Sequence, residues 1–369
     1  MYKKLRKNIF GGRRLIEEVV KKITEIISPV YLVGGAVRDY IMDKEVDDYD
    51  FTTPYTPDEI ETILLEKNPD RKMWLSGKRF GTIATKLYLP ESERYVKVEI
   101  TTFRKEAYES SRKPKVEFVR SLEQDLMRRD FTMNAIALRM KKGHFHFIDP
   151  FNGMDDIENG IVRAVGSPRQ RFKEDPLRML RAARFMSTLG FSIEENTGKR
   201  ILDGAPQILK VSKERWTQEL DKLLMGDYVA NGLNALMAWR LMNYMIPELV
   251  VQFEYNQMSP YHDFTLWEHT VKVVEAVPKD INLKWAALLH DVGKPFVAKL
   301  KPNGEQQTYV GHELVGAEIA EKVGRYLKWS KERIDTVSDA VICHLEDRSP
   351  LKGYDSGAQK RKEGERGGN

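Results

Sequence analysis

"VGGAVRDYIMDKEVDDYDFTT", residues 33–53, joins two glycines to Asp48 and Asp50, one residue apart in an apolar, strand-like run. Strand alternation puts both carboxylates on one face and Tyr49 on the other, so they converge on one point. Carboxylates that close repel unless a cation lies between them. A pair of hard oxygen ligands suits Mg2+ arriving with substrate phosphates. Gly34 and Gly35 let the backbone approach phosphate, and Arg38 is placed to pair with it. The alternative is a glycine turn followed by a solvated acidic loop; the glycines and Arg38 at this spacing favour the metal and phosphate reading.

Outward from this stretch the chain changes texture near residue 150. Before it, short β-rich runs ("VYLVGGAV", "FGTIATKLYL", "RYVKVEITTF", "FHFIDPF") alternate with helical patterns such as "RRLIEEVVKKITEII" and "TPDEIETILLEK". After it, nearly every segment reads as amphipathic helix. The expectation is an α+β fold, a mixed-sheet head followed by an all-helical remainder.

With 369 residues, 41% of them hydrophobic and 31% charged, the chain has room for more than one core. A net charge of +5 leans mildly towards a polyanionic partner. The single cysteine, Cys343, excludes an intramolecular disulfide. No run reaches the roughly 20 apolar residues that span a bilayer. The N-terminal "MYKKLRKNIFGGRRL" has no apolar signal segment, so a cytoplasmic protein without membrane contact is expected.

In order, "LVGGAVRD", "DDYDFTT", "EITTFRKE", "RRDFTMNAIAL", "DPFNGMDDIENGIVRAVG" and "KEDPLRMLRAARF" resemble the successive motifs of the bacterial CCA-adding tRNA nucleotidyltransferase and poly(A) polymerase family, over residues 28 to 225. The resemblance implies that Asp48 and Asp50 hold the Mg2+ ions of nucleotidyl transfer, with CTP and ATP as donors and the tRNA 3′ end as acceptor. Glu99, an acid in an alternating apolar strand, is the candidate third carboxylate; the alternative is an edge-strand charge facing water. "RRDFTMNA" looks like the ribose-recognition motif, with Asp130 accepting from a 2′-hydroxyl, Asn134 one helical turn on, and Arg128 and Arg129 reaching the triphosphate. Without the family, it reads as an N-capped basic helix.

In "EDPLR", Asp175 and Arg178 stand i, i+3 on a helix that Pro176 helps to start, an acceptor beside a donor fork. Cytosine and adenine both offer an amino donor next to a ring-nitrogen acceptor and would satisfy the pair. Uracil and guanine would leave polar groups unpaired, at roughly 1–3 kcal/mol each. The alternative is an i, i+3 ion pair on a solvated helix. "DPFNGMDDIENGIVRAVG" matches the family's hinge, with Asp149, Gly153 and Arg163, and Arg215, Glu219 and Lys222 resemble a scaffold motif of the neck. Phe80 stands where many members carry histidine.

Five of the seven histidines fall after residue 260, and His269, His290 and Asp291 look like the opening ligands of an HD domain, a metal-dependent phosphohydrolase fold. His312 and His344 complete a candidate site for a transition metal. Asp347 lies three residues beyond His344, where that family often has His-Asp directly. Members with this arrangement usually continue further past the equivalent of His344. The expected domains are a nucleotidyltransferase head at 1–150 with an N-terminal helix at 12–27, a base-recognising neck at 151–225, a body at 226–260, an HD-like domain at 261–349 and a disordered tail at 350–369. A poly(A) polymerase, an enzyme adding only CC or only A, and a phosphohydrolase working through the HD site are the alternative functions.

Overall fold

The computed structural model describes residues 2–107, 115–257, 265–302, 304, 307–346 and 351, with side chains omitted for 2–13, 105–107 and 115–116. The expected tail and Asp347 lie outside the described residues, apart from Leu351. The chain divides into two compact units, 1–174 and 175–369. Among the described residues no helix is long and apolar enough to cross a membrane.

The first unit is built on a seven-stranded mixed sheet. Helix α1 (Tyr2–Ile26) begins ten residues earlier than its apolar pattern predicts and buries Leu15, Ile16, Val19, Val20 and Ile23, one stripe at helical spacing. Strand β1 (Tyr31–Val33) turns through Gly34 into the short helix α2 (Gly35–Ile41), and β2 (Tyr49–Thr53) returns antiparallel to β1. Helix α3 (Pro57–Lys67) starts at a capping box between Thr56 and Glu59. Strands β3 (Met73–Trp74), β4 (Thr82–Leu89) and β5 (Arg94–Thr102) follow, and β5 runs parallel to β2. A separate hairpin, β6 (Arg104–Ala107) with β7 (Lys115–Phe118), leads to α4 (Leu122–Met127). Strands β8 (Ala137–Lys141) and β9 (His144–Ile148) complete the order β3-β4-β5-β2-β1-β8-β9. Helices α5 (Gly153–Glu158) and α6 (Pro168–Glu174) end the unit.

The segment between α4 and β8 is not the basic helix its local sequence allows. Residues Thr132–Asn134 form a single 3-10 turn before β8. Asp130 accepts a hydrogen bond from Phe131 N–H at 2.8 Å, a local side-chain bond that competes with helix.

The second unit is helical, as expected. Helix α7 (Leu177–Leu189) is followed by α8 (Glu195–Gly204), α9 (Lys213–Leu224), α10 (Val229–Ala238), and the short α11 (Met242–Met245) and α12 (Pro247–Val250). Then come α13 (Leu266–Ala276), α14 (Ile281–Leu289), the short α15 (Lys294–Val297), α16 (His312–Tyr326) and α17 (Lys331–Ile342). Trp216, Trp267 and Trp285 are fully buried at its core.

Candidate functional site

In the first unit, β2 buries Tyr49 and Phe51 and leaves Asp50 exposed; Asp48, just ahead of the strand, is exposed too. The alternation therefore places both carboxylates on the solvent side. Asp50 is the register partner of Glu99 on β5, whose neighbours Val98 and Ile100 are buried, so Glu99 faces the same side. The edge-strand alternative for Glu99 is corrected here, because β5 is an interior strand between β4 and β2. Lys97 Nζ pairs with Glu99 Oε1 at 2.6 Å.

The Asp50 carboxyl is held above its ordinary range, first by desolvation and then by the like charges of Glu99 and Asp48, with Arg129 opposing them. Asp48, Asp50 and Glu99 are hard oxygen donors on one side of neighbouring strands, and a divalent cation would relieve the repulsion that Glu99 and Asp48 exert on Asp50. The donor type fits a divalent metal.

Besides Lys97, Arg129 acts on this group as a cation. Gly34 adopts φ 75°, and a Cβ there would lie 3.1 Å from Arg129 Nη1, so the glycine admits both the turn and the guanidinium. At Gly35 an added Cβ would meet Arg38 Nη2 at an ordinary 3.5 Å. Behind Arg129 lies Asp125, fully buried, which pairs with Arg128 Nε at 3.0 Å and Arg129 Nη2 at 3.5 Å. Burial alone would raise the Asp125 pKa, but Arg128 and Arg129 outweigh it and hold the carboxyl below its ordinary value. Asp125 was missed in the sequence. Its signal was the i, i+3 and i, i+4 spacing to the two arginines.

Asp130 and Asn134 are buried side by side, and Asn134 is hydrogen-bonded to Arg38. The hinge residues lie close behind. Asp149 caps α5 by accepting from Gly153 N–H and Met154 N–H, both at 2.8 Å. A Cβ on Gly153 would stand 2.2 Å from the Thr132 carbonyl, so only glycine fits there. Asp156 accepts from Thr132 Oγ1 at 2.6 Å and from Arg163 Nε at 3.0 Å, which ties the hinge to the 3-10 turn. Phe80 is half exposed, with the Arg79 guanidinium 4.5 Å from its ring centre.

In the second unit Asp175 is not on the helix with Arg178. It precedes α7, because a residue before proline is pushed out of the α region. Asp175 Oδ1 accepts from Leu177 N–H at 3.1 Å, and Oδ2 pairs with Arg215 Nη2 at 2.8 Å. Arg178 is buried at the start of α7. Glu219 pairs with Arg184 at 2.9 Å and Arg181 at 3.6 Å, tying α9 to α7 as a scaffold residue would.

The same unit gathers the predicted histidines around Asp291. Oδ2 of Asp291 lies 3.2 Å from His290 Nε2 and 3.5 Å from His269 Nε2. Oδ1 lies 3.4 Å from His312 Nε2 and 3.6 Å from His344 Nε2. All five side chains are buried. The Nδ1–H groups of His290, His312 and His344 donate to the carbonyls of Ala287, Tyr309 and Val341 at 2.6–2.8 Å, which turns the Nε2 lone pairs inward. The Nε2 atoms of His312 and His344 lie 3.2 Å from each other. The imidazole and carboxylate donors, each oxygen of Asp291 within one triad, suit a transition metal. Burial would raise the Asp291 pKa, but His290 and Lys294 beside it outweigh that and hold the carboxyl well below the usual range. Lys294, whose Nζ lies 2.6 Å from Asp291 Oδ2, was not singled out in the sequence, although "HDVGK" places it one helical turn on.

Family models match three consecutive stretches: a poly A polymerase head domain at residues 30–163, a probable RNA and SrmB-binding site of polymerase A at 190–252, and an HD domain at 266–366. The chain is 40% identical over 272 residues to a CCA-adding enzyme of Staphylococcus epidermidis, covering 72% of this chain and 62% of that one. It is 38% identical over 292 residues to the Geobacillus thermodenitrificans CCA-adding enzyme, covering 77% and 66%. The chain belongs to the CCA-adding enzyme and poly(A) polymerase family. The crystal structure of the Bacillus stearothermophilus CCA-adding enzyme in complex with CTP is similar, with a TM-score of 0.59 and 27% identity, covering 94% of this chain and 81% of that one. The matched region spans just under two thirds of the two curated family members. Both the nucleotidyltransferase head and the HD domain are metal-dependent families; Asp48, Asp50 and Glu99 lie within the stretch that matches the first, and the histidines around Asp291 within the stretch that matches the second.

Proposed function

We propose that this protein is a CCA-adding tRNA nucleotidyltransferase of the cytoplasm, transferring CMP and AMP from CTP and ATP to the tRNA 3′ end without a nucleic-acid template. The observation that carries the reading is the placement of Asp48, Asp50 and Glu99 on one side of adjacent strands beside Arg129. The relatives named CCA-adding enzymes and the similarity to a CTP-bound member support the substrate.

In the reaction the RNA 3′-oxygen attacks the α-phosphorus, its bond forms as the bond to the pyrophosphate oxygen breaks, and the hydroxyl proton is released. Mg2+ bound at Asp48 and Asp50, with Glu99, would supply Lewis-acid activation of that hydroxyl and charge neutralisation at the pyrophosphate. Arg128 and Arg129 hold the triphosphate, with Asp125 behind them setting their direction. Asp130 accepts from the ribose 2′-hydroxyl. Asp175 and Arg178 read the base edge from the neck, and Arg215 holds the Asp175 acceptor in place. In this reading the head spans 1–150, the base-reading neck 151–225, the body 226–260 and the HD-like domain 261–349, whose histidine cluster would hold a transition metal.

Asp50→Ala tests the reading. Removing a metal ligand from this group is expected to lower nucleotide addition by about 1000-fold or more with the fold intact. Near-normal addition by folded Asp50→Ala protein would overturn it.

A further inference from the structure

Arg38 carries a buried guanidinium that bonds to Asp39 and Asn134. Its Nε and Nη2 donate to the two oxygens of Asp39, each at 2.9 Å, and Nη1 donates to Asn134 Oδ1 at 2.8 Å. Asn134 Nδ2 in turn donates to Asp130 Oδ1 at 3.0 Å, and that same oxygen accepts from Phe131 N–H at 2.8 Å. Arg38, Asn134 and Asp130 are 9%, 5% and 8% exposed. An amide held between a donor and an acceptor has one orientation. Flipped, it would set its NH2 against the guanidinium and its oxygen against the carboxylate, both repulsive. The series is therefore directional: Asp39 fixes Arg38, Arg38 fixes the Asn134 amide, and the amide with Phe131 N–H fixes the Asp130 carboxylate.

We propose that Arg38 and Asn134 are positioning residues that lock the Asp130 carboxylate for the 2′-hydroxyl of the incoming nucleotide, so that this buried relay sets the preference for ribonucleotides over deoxyribonucleotides. The inference rests on the ribose role proposed for Asp130. A carboxylate with a single rotamer meets the hydroxyl in the geometry that discriminates; released, it is satisfied as well by solvent. Misplacement of this kind costs up to about 100-fold in the rate that depends on it.

The test uses the full chain and tRNA lacking its terminal adenosine, comparing kcat/KM for ATP and dATP in the wild type, Asp130→Ala, Arg38→Met, Arg38→Lys, Asn134→Leu, and Arg38→Met combined with Asp130→Ala. The ratio is internal to each preparation, so a reduced folded fraction cancels. The relay predicts that Asp130→Ala, Arg38→Met and Asn134→Leu each lower the ATP:dATP ratio by about 10-fold or more, through kcat for ATP. Arg38→Lys, which keeps one donor for Asn134 Oδ1, retains part of the preference, and the double variant falls no further than Asp130→Ala alone. A loss in Asp130→Ala with an unchanged ratio in Asn134→Leu and either Arg38 variant overturns the relay and leaves the ribose role standing. An unchanged ratio in Asp130→Ala overturns both. A wild type that adds neither nucleotide overturns the proposed function and the relay with it.

Discussion

Asp125 shows what a single buried charge does in this head. It has no exposure and two arginine partners, one of which faces the acidic group on the sheet. Its folded pKa lies below the unfolded value of about 3.9, so it stabilises the fold above that pH and the contribution is lost as pH falls through the folded pKa. Asp125→Asn is therefore expected to lower stability near neutral pH by about 3 kcal/mol and to flatten the dependence of stability on pH below 4. Denaturant melts at pH 7 and pH 3 check this; an equal loss at both pH values would contradict it. Asp48 and Asp50 were legible because strand alternation alone puts them on one face. The partners of Arg38 were not, since Asn134 lies 96 residues along the chain and only the β1–β8 pairing brings the two segments together.

At the scale of the element, the strands of the head were legible by their period and the helices of the remainder by theirs, whereas the segment that reads locally as a basic helix is a 3-10 turn leading into β8. The start of α7 shows the same limit. Spacing alone placed Asp175 and Arg178 on one helical face, but Pro176 moves Asp175 ahead of the helix, where it caps the first turn and pairs with Arg215. A base-reading pair does not require both groups on the helix; it requires an acceptor and a donor held rigidly. Arg178→Ala and Asp175→Ala are each expected to reduce the CTP-over-UTP preference by about 10-fold, because the mismatch that rejects uracil exists only with both groups present. Competition between CTP and UTP on a tRNA primer checks it. Unaltered selectivity in active variants would place base reading elsewhere.

For the whole molecule, two compact units carry two chemically different groups, hard carboxylate oxygens in the first and inward-facing imidazoles around Asp291 in the second. The clustering of histidines late in the sequence pointed to the second group. What the sequence lacked was the direction of each ring, set by backbone carbonyls three residues before His290, His312 and His344. His290→Ala is expected to lose a bound transition metal that the wild type retains, with nucleotide addition changed less than about 3-fold, because the carboxylates proposed for addition belong to the other unit. Elemental analysis showing equal metal in both proteins would contradict it. The central claim is nucleotide addition ordered by the protein itself. Its most direct test incubates the full chain with Mg2+ and tRNA lacking the CCA end, supplies each nucleotide alone and in combination, and sequences the 3′ ends. The account predicts cytidines from CTP alone, a single adenosine added only after them, no UMP or GMP, and termination at CCA; unbounded adenosine tails, or no addition at all, would contradict it.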